Sequence, residues 1–391
     1  MKKNKAVFLT AIITFVSTLV VMGLIFVIGL PEGENDPVEV LTSKVRIINN
    51  LIERKSIKDF DSDKAVENAI YAYVATLDDQ YAMYFDKDYY SEFVNDLKGS
   101  HVGIGMTVKS PKTEYVDAEG LHILRVVGGS PAESAGIKAD DIITAVNGTE
   151  TAGLLYNDVY NSLLGEEGTV INLTISRNGE KLDFSVTRST YVSRDVDYRM
   201  IDGNVGFIRI HEFSSETTYK QFEEALQTLI SQGAKGFIYD VRNNPGGDLK
   251  SIEAVLSFFL SEGDLLVSTE DKYGNSSKDV VKVYTGTGDY AGCSVKKSDI
   301  GKYRGTPCVV LTNGNTASAA ELFTQTMRDY NLAKIVGTKT YGKGCMQSIF
   351  TLERYGIPGA LKLTTRMYFS KSHHVYHGIG IEPDETVELS E

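Results

Sequence analysis

Hydrophobic and polar residues follow different periods in successive parts of the chain. Between residues 38 and 98, apolar residues recur at helical spacing, as at Val45 and Ile48. From about 99 to 190, short apolar runs separated by glycine turns predict β-strands. From about 196 to 390, strand patterns alternate with amphipathic helical patterns, which is typical of an α/β sheet covered by helices.

The first thirty residues are apolar enough to span a membrane. Ala6–Leu30 contains 25 residues and no charge, and a helix of that length extends about 37 Å. A cleaved secretory signal has a shorter apolar core and a small-residue cleavage site, and Phe26–Pro31 offers no such site. Three lysines precede the span and three acidic residues follow it. We therefore expect an uncleaved anchor, a cytoplasmic N-terminus and the rest of the chain outside the cytoplasm.

The alternation in the last part of the chain predicts individual elements. Strands are expected at 205–210, 236–241, 307–312 and 333–336, and helices at 217–232, 252–260 and 318–330. The polar segment 264–306 is expected to be a hairpin or a surface excursion. The expected fold class is α+β multidomain. Its parts are a membrane anchor, a helical segment, a small β-domain and an α/β core, at 1–36, 37–98, 99–190 and 191–391.

Charge and composition exclude several functional classes. The chain has 391 residues, with 40 basic and 52 acidic side chains and a net charge of −12. It has no Lys/Arg-rich block, so nucleic-acid binding is not expected. Three scattered cysteines form neither a disulfide framework nor a CxxC metal site, and six histidines show no zinc-binding spacing.

One candidate nucleophile lies where a predicted strand passes into a helix. In the stretch Asn313–Glu321 a tight turn follows the strand, and a helix-forming run begins at or just after Ser318. A serine there presents its hydroxyl at a helix N-terminus, whose N–H groups can stabilise an oxyanion. The alternative is a simple helix N-cap, because Ser318 and Glu321 have the spacing of a capping box.

Two glycine-containing turns are candidates for completing such a site. Lys343 lies between Gly342 and Gly344. A lysine enclosed by apolar surroundings loses its proton more easily and can act as general base toward a serine. The turn Pro245–Gly247 follows a strand and has N–H groups that can face a ligand. Taken alone, each turn could equally be an ordinary surface turn.

The stretch Gly337–Lys343 also fits the phosphate-binding pattern G-x-x-x-x-G-K. The next residue is Gly344 rather than the Ser or Thr that ligates the metal ion. Residues 345–352 have a strand pattern, so no helix N-terminus would hold the phosphates. A nucleotide-binding site is therefore disfavoured.

The small β-domain contains three stretches in an informative order. They are GIGM at 103–106, SPAESAGIKADDIITAVNG at 130–148 and TVINLTISRNGE at 169–180. This order resembles a bacterial PDZ domain, a fold that binds a chain terminus by strand addition. The resemblance places the carboxylate-holding loop at Gly103, Ile104, Gly105 and Met106. The alternative is a small β-domain whose glycines only form turns.

Further motifs occur in a fixed order along the chain. They are LDD at 77–79, DVRNNPGG at 240–247, TASAAE at 316–321, GTKTYGKGCMQ at 337–347 and GIGIEPD at 378–384. Together they resemble the C-terminal processing peptidases, also called tail-specific proteases, from about residue 40 to 390. The resemblance implies that Ser318 is the nucleophile, that Lys343 is the general base and that Gln347 orients the lysine.

The same resemblance implies supporting residues and a function. An oxyanion hole is implied at Gly246 or Gly247 with the N–H of Ala319, and supporting roles are implied for Glu321 and Thr340. The implied protein is a membrane-anchored serine endopeptidase that captures protein C-terminal tails through its PDZ domain and cleaves through an acyl-enzyme, without a metal or cofactor. The alternative is a PDZ scaffold with an inactive peptidase-like domain. The aromatic-rich helical segment is a candidate homodimerisation arm.

The chain departs from the family pattern in three places. Ala320 replaces a serine two residues beyond the nucleophile, Gln80 replaces a proline, and residues 368–374 replace a Tyr-Thr-Pro-Ser-Gly run. The first change spares the nucleophile. Because of the last change, the family pattern does not predict the nearby substrate-facing surface.

Overall fold

The computed structural model describes residues 36–98, 100–109, 115–214, 216–286 and 293–388. Of these described residues, those up to 70 belong to one compact unit, and those from 71 onward form a second. The apolar stretch Ala6–Leu30 lies outside the described residues. None of the described helices is both long enough and apolar enough to cross a membrane.

Helices and strands follow one another along the described chain. The helices are α1 Pro37–Lys55, α2 Ser62–Ala75, α3 Lys87–Lys98, α4 Pro131–Ala135, α5 Tyr156–Leu163, α6 Thr218–Ser231, α7 Leu249–Ser257 and α8 Ala319–Asp329, with a short 3₁₀ helix at Glu353–Tyr355. The strands are β1 Met83–Phe85, β2 Ser100–Gly103, β3 Met106–Val108, β4 Leu121–Val126, β5 Ile142–Val146, β6 Thr149–Glu150, β7 Val170–Arg177, β8 Glu180–Thr187, β9 Ser189–Val192, β10 Val196–Ile201, β11 Val205–Ile210, β12 Gly236–Asp240, β13 Leu265–Asp271, β14 Ser276–Val280, β15 Cys308–Thr312, β16 Ala333–Gly337, β17 Cys345–Thr351, β18 Ala360–Phe369 and β19 Glu385–Thr386.

Helix α1 has clear signals at both ends and no buried residue. The Asp36 side chain accepts a hydrogen bond from the N–H of Val38 (2.9 Å), and Pro37 occupies the first turn. Arg54 and Lys55 lie in the last turn, where cations are favoured by the helix dipole.

The region predicted to be helical, residues 37–98, contains the three helices α1, α2 and α3. It also contains the unpredicted strand β1, which is too short to show a period.

The small β-domain is a sheet with strand order β3-β4-β5-β7-β8, and β6 pairs with β5. Its core is aliphatic and includes Leu121, Ile143 and Ile171, which are almost fully buried. Asn178 and Gly179 both have positive φ between β7 and β8, as a two-residue hairpin turn requires. Strands β2 and β9 pair with each other at the two ends of this domain.

The α/β core contains a second sheet with strand order β10-β11-β12-β15-β16-β19. β10 is antiparallel to β11, and the other pairs are parallel. Helices α6, α7 and α8 contribute Phe222, Val255 and Phe323 to its buried core. Every strand and helix expected in this part forms within three residues of its expected position. Because the carboxyl ends of parallel strands meet at one edge, the turns after β12 and β15 come together there.

A third sheet has strand order β1-β18-β13-β14, with β17 also paired to β18. It corrects the prediction for residues 264–306. The hairpin is present as β13 and β14, but the surface excursion is wrong, because β13 also pairs with β18 and Val267 is fully buried. Ser268 and Thr269 on this strand are buried as well. The polar stretch at residues 273–277 is exposed, as its composition suggests, but it is the turn and the start of β14, and the preceding strand β13 is covered.

Candidate active site

Ser318 lies in the turn between β15 and α8 and has unusual backbone angles. Its φ is 56° and its ψ is −122°, a conformation that costs energy in a residue with a side chain. Helix α8 is buried from Ala319 to Met327, so the surroundings hold the turn in place. The serine therefore lies at the N-terminus of a buried helix, as the sequence predicts.

The Glu321 carboxylate joins the serine turn to the lysine loop. Its Oε2 atom accepts the backbone N–H groups of Ser318 (3.0 Å) and Lys343 (2.7 Å). Its Oε1 atom accepts the N–H of Gly342 (2.7 Å) and the hydroxyl of Thr340 (2.5 Å). Burial raises the pKa of Glu321, and these four hydrogen bonds oppose that rise. One buried carboxylate thus fixes the backbones of both predicted catalytic residues.

The Lys343 side chain enters a half-buried environment. Its Nζ atom lies 4.5 Å from the centroid of the Tyr81 ring, and its carbonyl oxygen accepts the Tyr368 hydroxyl (2.6 Å). Burial lowers the pKa of Lys343, whereas the nearby Cys345, Asp79 and Glu321 act in the opposite direction. A lowered pKa is what a lysine general base requires.

The two glycines after Pro245 have different roles. The N–H of Gly246 donates to the side-chain oxygen of Asn244 (2.8 Å). By contrast, no acceptor among the described residues takes the N–H of Gly247, which lines the same cleft as Ser318 and Ala319. Of the two glycines in the predicted oxyanion hole, Gly247 is therefore the one whose N–H remains available.

Gly246 is instead required by close packing. A Cβ atom at this position would lie 2.6 Å from Cβ of Ser318 and 2.9 Å from the nitrogen of Ala319. Its φ of +109° is also one that side chains rarely adopt. Gly246 thus allows the Pro-Gly-Gly turn to approach the serine directly.

Gln347 lies in β17, four residues after Lys343. Its side chain makes hydrogen bonds with other residues rather than with the lysine. Its amide donates to the hydroxyl of Thr364 (3.1 Å) and contacts the sulfur of Cys345 (3.5 Å). The register of β17 against β18 shifts between Met346 and Gln347, so the strand is not straight there. β17 also occupies the place where a phosphate-binding loop would need a helix, and that alternative is discarded.

Ser318, Lys343 and Gln347 line one cleft of about 620 Å³, here called the catalytic cleft. Gly247 and Lys362 line it as well. No hydrogen bond joins Lys343 Nζ to the Ser318 hydroxyl in the described part of the chain. The cleft can support acyl transfer once the lysine side chain turns from the Tyr81 ring toward the serine.

A second cleft of about 420 Å³ lies at the predicted PDZ loop. Gly103, Ile104, Gly105 and Met106 all line it. The carbonyl oxygens of Ile104 and Gly105 accept hydrogen bonds from Ala132 (2.8 Å) and Val127 (2.9 Å). Within the described residues, the N–H groups of Ile104 and Gly105 have no acceptor. They are therefore available to a carboxylate.

Sequence comparison agrees with this geometry. The profile of peptidase family S41 matches residues 204–387, and that of the PDZ domain matches 122–177. The carboxy-terminal processing protease CtpA of Bacillus subtilis (strain 168) is 32% identical over 387 residues, which are 98% of this chain and 76% of that protein. The chain belongs to peptidase family S41.

A second relative supports this membership, and a solved structure shares the fold. A probable CtpA-like serine protease of Staphylococcus aureus (strain N315) is 31% identical over 379 residues, 97% of this chain and 71% of that protein. The solved structure of a photosystem II D1 C-terminal processing protease shares the fold, with a TM-score of 0.53 and 23% identity over 88% of this chain and 86% of that chain. This S41 chain is a serine peptidase with a PDZ domain, so the family resemblance is confirmed.

Three residues in or beside the catalytic cleft of this S41 chain are not singled out from the sequence. Tyr81 supports the lysine, Tyr368 holds the lysine carbonyl, and Lys362 is a second cation. The signal for Tyr81 was its position two residues after the LDD motif.

Proposed function

We propose that this S41 peptidase captures the free C-terminal tail of a protein substrate in its PDZ cleft. It then cleaves that substrate with Ser318 as the nucleophile. The observation that carries the proposal is the Glu321 carboxylate, which accepts the N–H groups of both Ser318 and Lys343 on one oxygen atom. This arrangement keeps nucleophile and base within reach of each other, as acyl transfer requires.

The proposed reaction proceeds through an acyl-enzyme. Neutral Lys343 takes the proton of the Ser318 hydroxyl, and Oγ attacks the carbonyl carbon of the scissile bond. The N–H groups of Gly247 and Ala319 stabilise the resulting oxyanion. The Lys343 ammonium then gives its proton to the leaving amine, the C–N bond breaks, and an ester on Ser318 remains. Water, deprotonated by Lys343, hydrolyses this ester and restores the serine.

Mass spectrometry of an unstructured protein tests this proposal. Wild type, Ser318→Ala and Lys343→Ala are incubated with the substrate, and Lys339→Ala serves as the control. Lys339 lies in the same motif but is half-exposed and pairs with Glu382 (2.9 Å). We expect fragments only from wild type and the control. An intact substrate with wild type would favour the scaffold alternative.

Tail capture depends on the free N–H groups of Ile104 and Gly105. A substrate carboxylate would accept both, and an amidated end would lose that charge-assisted interaction. Calorimetry with Ser318→Ala protein compares peptides that differ only in a free or amidated C-terminus. We expect the free acid to bind at least about tenfold more tightly, and equal binding would reject this role.

We further propose that Ala6–Leu30 anchors the protein with its peptidase part outside the cytoplasm. The support is the uncharged span and the lysines before it. Carbonate washing of membranes from expressing cells compares the full chain with one lacking residues 1–36. We expect only the full chain to stay in the membrane and to be digested by protease added from outside. Release of the full chain by carbonate would contradict the anchor.

Helix α1 supports a homodimer. Val38, Leu41, Val45 and Ile48 follow a heptad spacing, and each is more than a third exposed. A second copy of the same helix would bury this apolar face. Ultracentrifugation should give twice the chain mass, and the single mass after Val45→Glu and Ile48→Glu. A monomer with the native sequence would contradict the dimer.

A further inference from the structure

The catalytic cleft contains a second lysine, which the reaction described above does not use. Lys362 lies in β18 opposite Ile349 of β17, and two residues along, Thr364 lies opposite Gln347. The cleft is lined by Lys362, Ile349 and Gln347. The Thr364 hydroxyl contacts the Gln347 amide. Because residues i and i+2 of a strand share one face, Lys362 and Thr364 are on the cleft side of β18.

Two aromatic rings hold the Lys362 side chain. Its Nζ atom lies 5.4 Å from the centroid of the Phe85 ring and 5.4 Å from that of the Phe93 ring. The two rings stack on each other with centroids 4.7 Å apart. Contacts with ring faces stabilise the cation and restrict its position without neutralising its charge.

Lys362 has no ion-pair partner among the described side chains. Lys250, which also lines the cleft, differs because it pairs with Glu253 (2.7 Å). Burial lowers the pKa of Lys362, repulsion from Lys343 lowers it further, and Asp79 opposes both effects. A half-buried cation without a carboxylate is unfavourable, and a substrate carboxylate would relieve that cost.

We propose that Lys362, held by Phe85 and Phe93, is an anion-binding subsite for a carboxylate of the substrate chain. The proposal rests on the proposed function, because it assumes that the chain cut at Ser318 lies in this cleft. Ser318 and Lys362 line the same cleft, so an extended substrate bound there would present its carboxylate within a few residues of the scissile bond.

Two sources can supply that carboxylate, and the experiment distinguishes them. One peptide series carries a single Glu, or Gln in its place, at each of four positions on either side of a fixed cleavage site. A second series ends three or four residues beyond that site, with a free or an amidated terminus. An effect in the first series identifies an acidic side chain, and an effect in the second identifies the chain end.

Four proteins are compared by kcat/KM, namely wild type, Lys362→Met, Lys362→Glu and Lys272→Met. Lys272 is the matched control, since its Nζ also lies over a ring, 5.0 Å from the Tyr273 centroid, and it does not line the cleft. We expect wild type and the control to prefer the carboxylate about tenfold at one position. Lys362→Met should lose the preference, and Lys362→Glu should prefer Lys there instead.

The ionic-strength dependence of wild type provides a test that needs no variant. The preference for Glu over Gln should decline as salt increases, because Lys362 is only half-buried and salt screens its attraction to the substrate carboxylate. Equal kcat/KM for the charged and neutral peptides at every position would overturn the subsite while leaving the peptidase function intact. A preference that persists in Lys362→Met would also overturn it. If wild type cuts no peptide, the proposed function fails and the subsite fails with it.

Discussion

The Nζ atom of Lys343 lies 4.5 Å from the centre of the Tyr81 ring. A ring face attracts the ammonium form of lysine more than the neutral amine. The contact therefore acts against burial, which lowers the pKa of the same group. Asp79, Glu321 and Cys345 also favour the ammonium, whereas Lys362 faces it as a like charge. The protonation state of the proposed base thus depends on both aromatic and charged neighbours.

Replacing Tyr81 should move the pH dependence of cleavage. Tyr81→Leu removes the ring, so the pKa of Lys343 should fall and the acid limb of the kcat/KM profile should move to lower pH. Tyr81→Phe keeps the ring face and should keep the limb close to its wild-type position. A purely structural role for Tyr81 would reduce the rate without moving the limb. Profiles that coincide for wild type and Tyr81→Leu would show that the ring does not tune the lysine.

Glu321 is expected to position both catalytic residues. Glu321→Gln replaces one acceptor oxygen with an NH₂ group, which would face N–H or O–H donors. Leaving such donors unpaired costs about 2 kcal/mol of unfolding free energy. Displacing the lysine loop should lower kcat by about 100-fold. Steady-state kinetics and urea unfolding measure the two effects.

Glu382→Gln is the control for that variant, because Glu382 pairs with Lys339 at the surface. Exposed pairs contribute about 1 kcal/mol or less. This variant should therefore keep the wild-type kcat. A Glu321→Gln enzyme that is as active as the control would remove Glu321 from the account.

Gly246→Ala should inactivate the enzyme without unfolding it. The new Cβ would come within 2.6 Å of Ser318 Cβ, so the serine turn or the Pro-Gly-Gly turn must shift. Gly263→Ala is the matched control, since Gly263 also has a positive φ, +85°, with no atom within 4 Å of the added Cβ. Gly263→Ala should lose about 1–2 kcal/mol of unfolding free energy from backbone strain alone, and Gly246→Ala should lose more, because its clash adds to that strain. We expect only Gly246→Ala to lose peptide cleavage, and equal activity of the two variants would contradict the packing argument.

Glu253 should make the fold less stable as pH rises. It is buried in α7 beside Lys250, and burial raises its pKa from 4.5 to about 7. The folded state therefore holds a proton that the unfolded state releases between these values. Its contribution is fully present below pH 4.5 and is lost as pH rises through 7, which amounts to about 3 kcal/mol.

Urea unfolding of wild type and Glu253→Gln at pH 4.5 and pH 8 measures this effect. The variant cannot ionise at this position, so its stability relative to wild type should be higher at pH 8 than at pH 4.5. The same difference at both pH values would show that Glu253 does not titrate in this range.

Local sequence patterns were sufficient for much of the core. The helical period around Phe222 and the strand pattern at Val205–Ile210 each produced the expected element. These patterns work because one face of each element is buried against the same core. The strand-to-helix passage at Ser318 was predictable for the same reason.

Contacts between distant parts of the chain were not predictable from local patterns. Tyr81 and Lys343 are 262 positions apart, and nothing near either residue indicates that they meet. Strand β13 lies in a segment expected to be a hairpin or a surface excursion, yet its Ser268 and Thr269 are buried where it pairs with β18. Likewise, only the Asn244 side chain decides that Gly247, rather than Gly246, has the free N–H.

The rate of acyl-enzyme formation as a function of pH tests the central claim most directly. Single-turnover cleavage of a quenched peptide between pH 5 and 10 is measured for wild type and Lys343→Ala. We predict that the wild-type rate rises with one ionisation whose pKa lies below the ordinary 10.5 of lysine, and that the variant loses at least about 10⁴-fold at every pH. A Lys343→Ala enzyme that acylates at the wild-type rate would show that another group deprotonates Ser318.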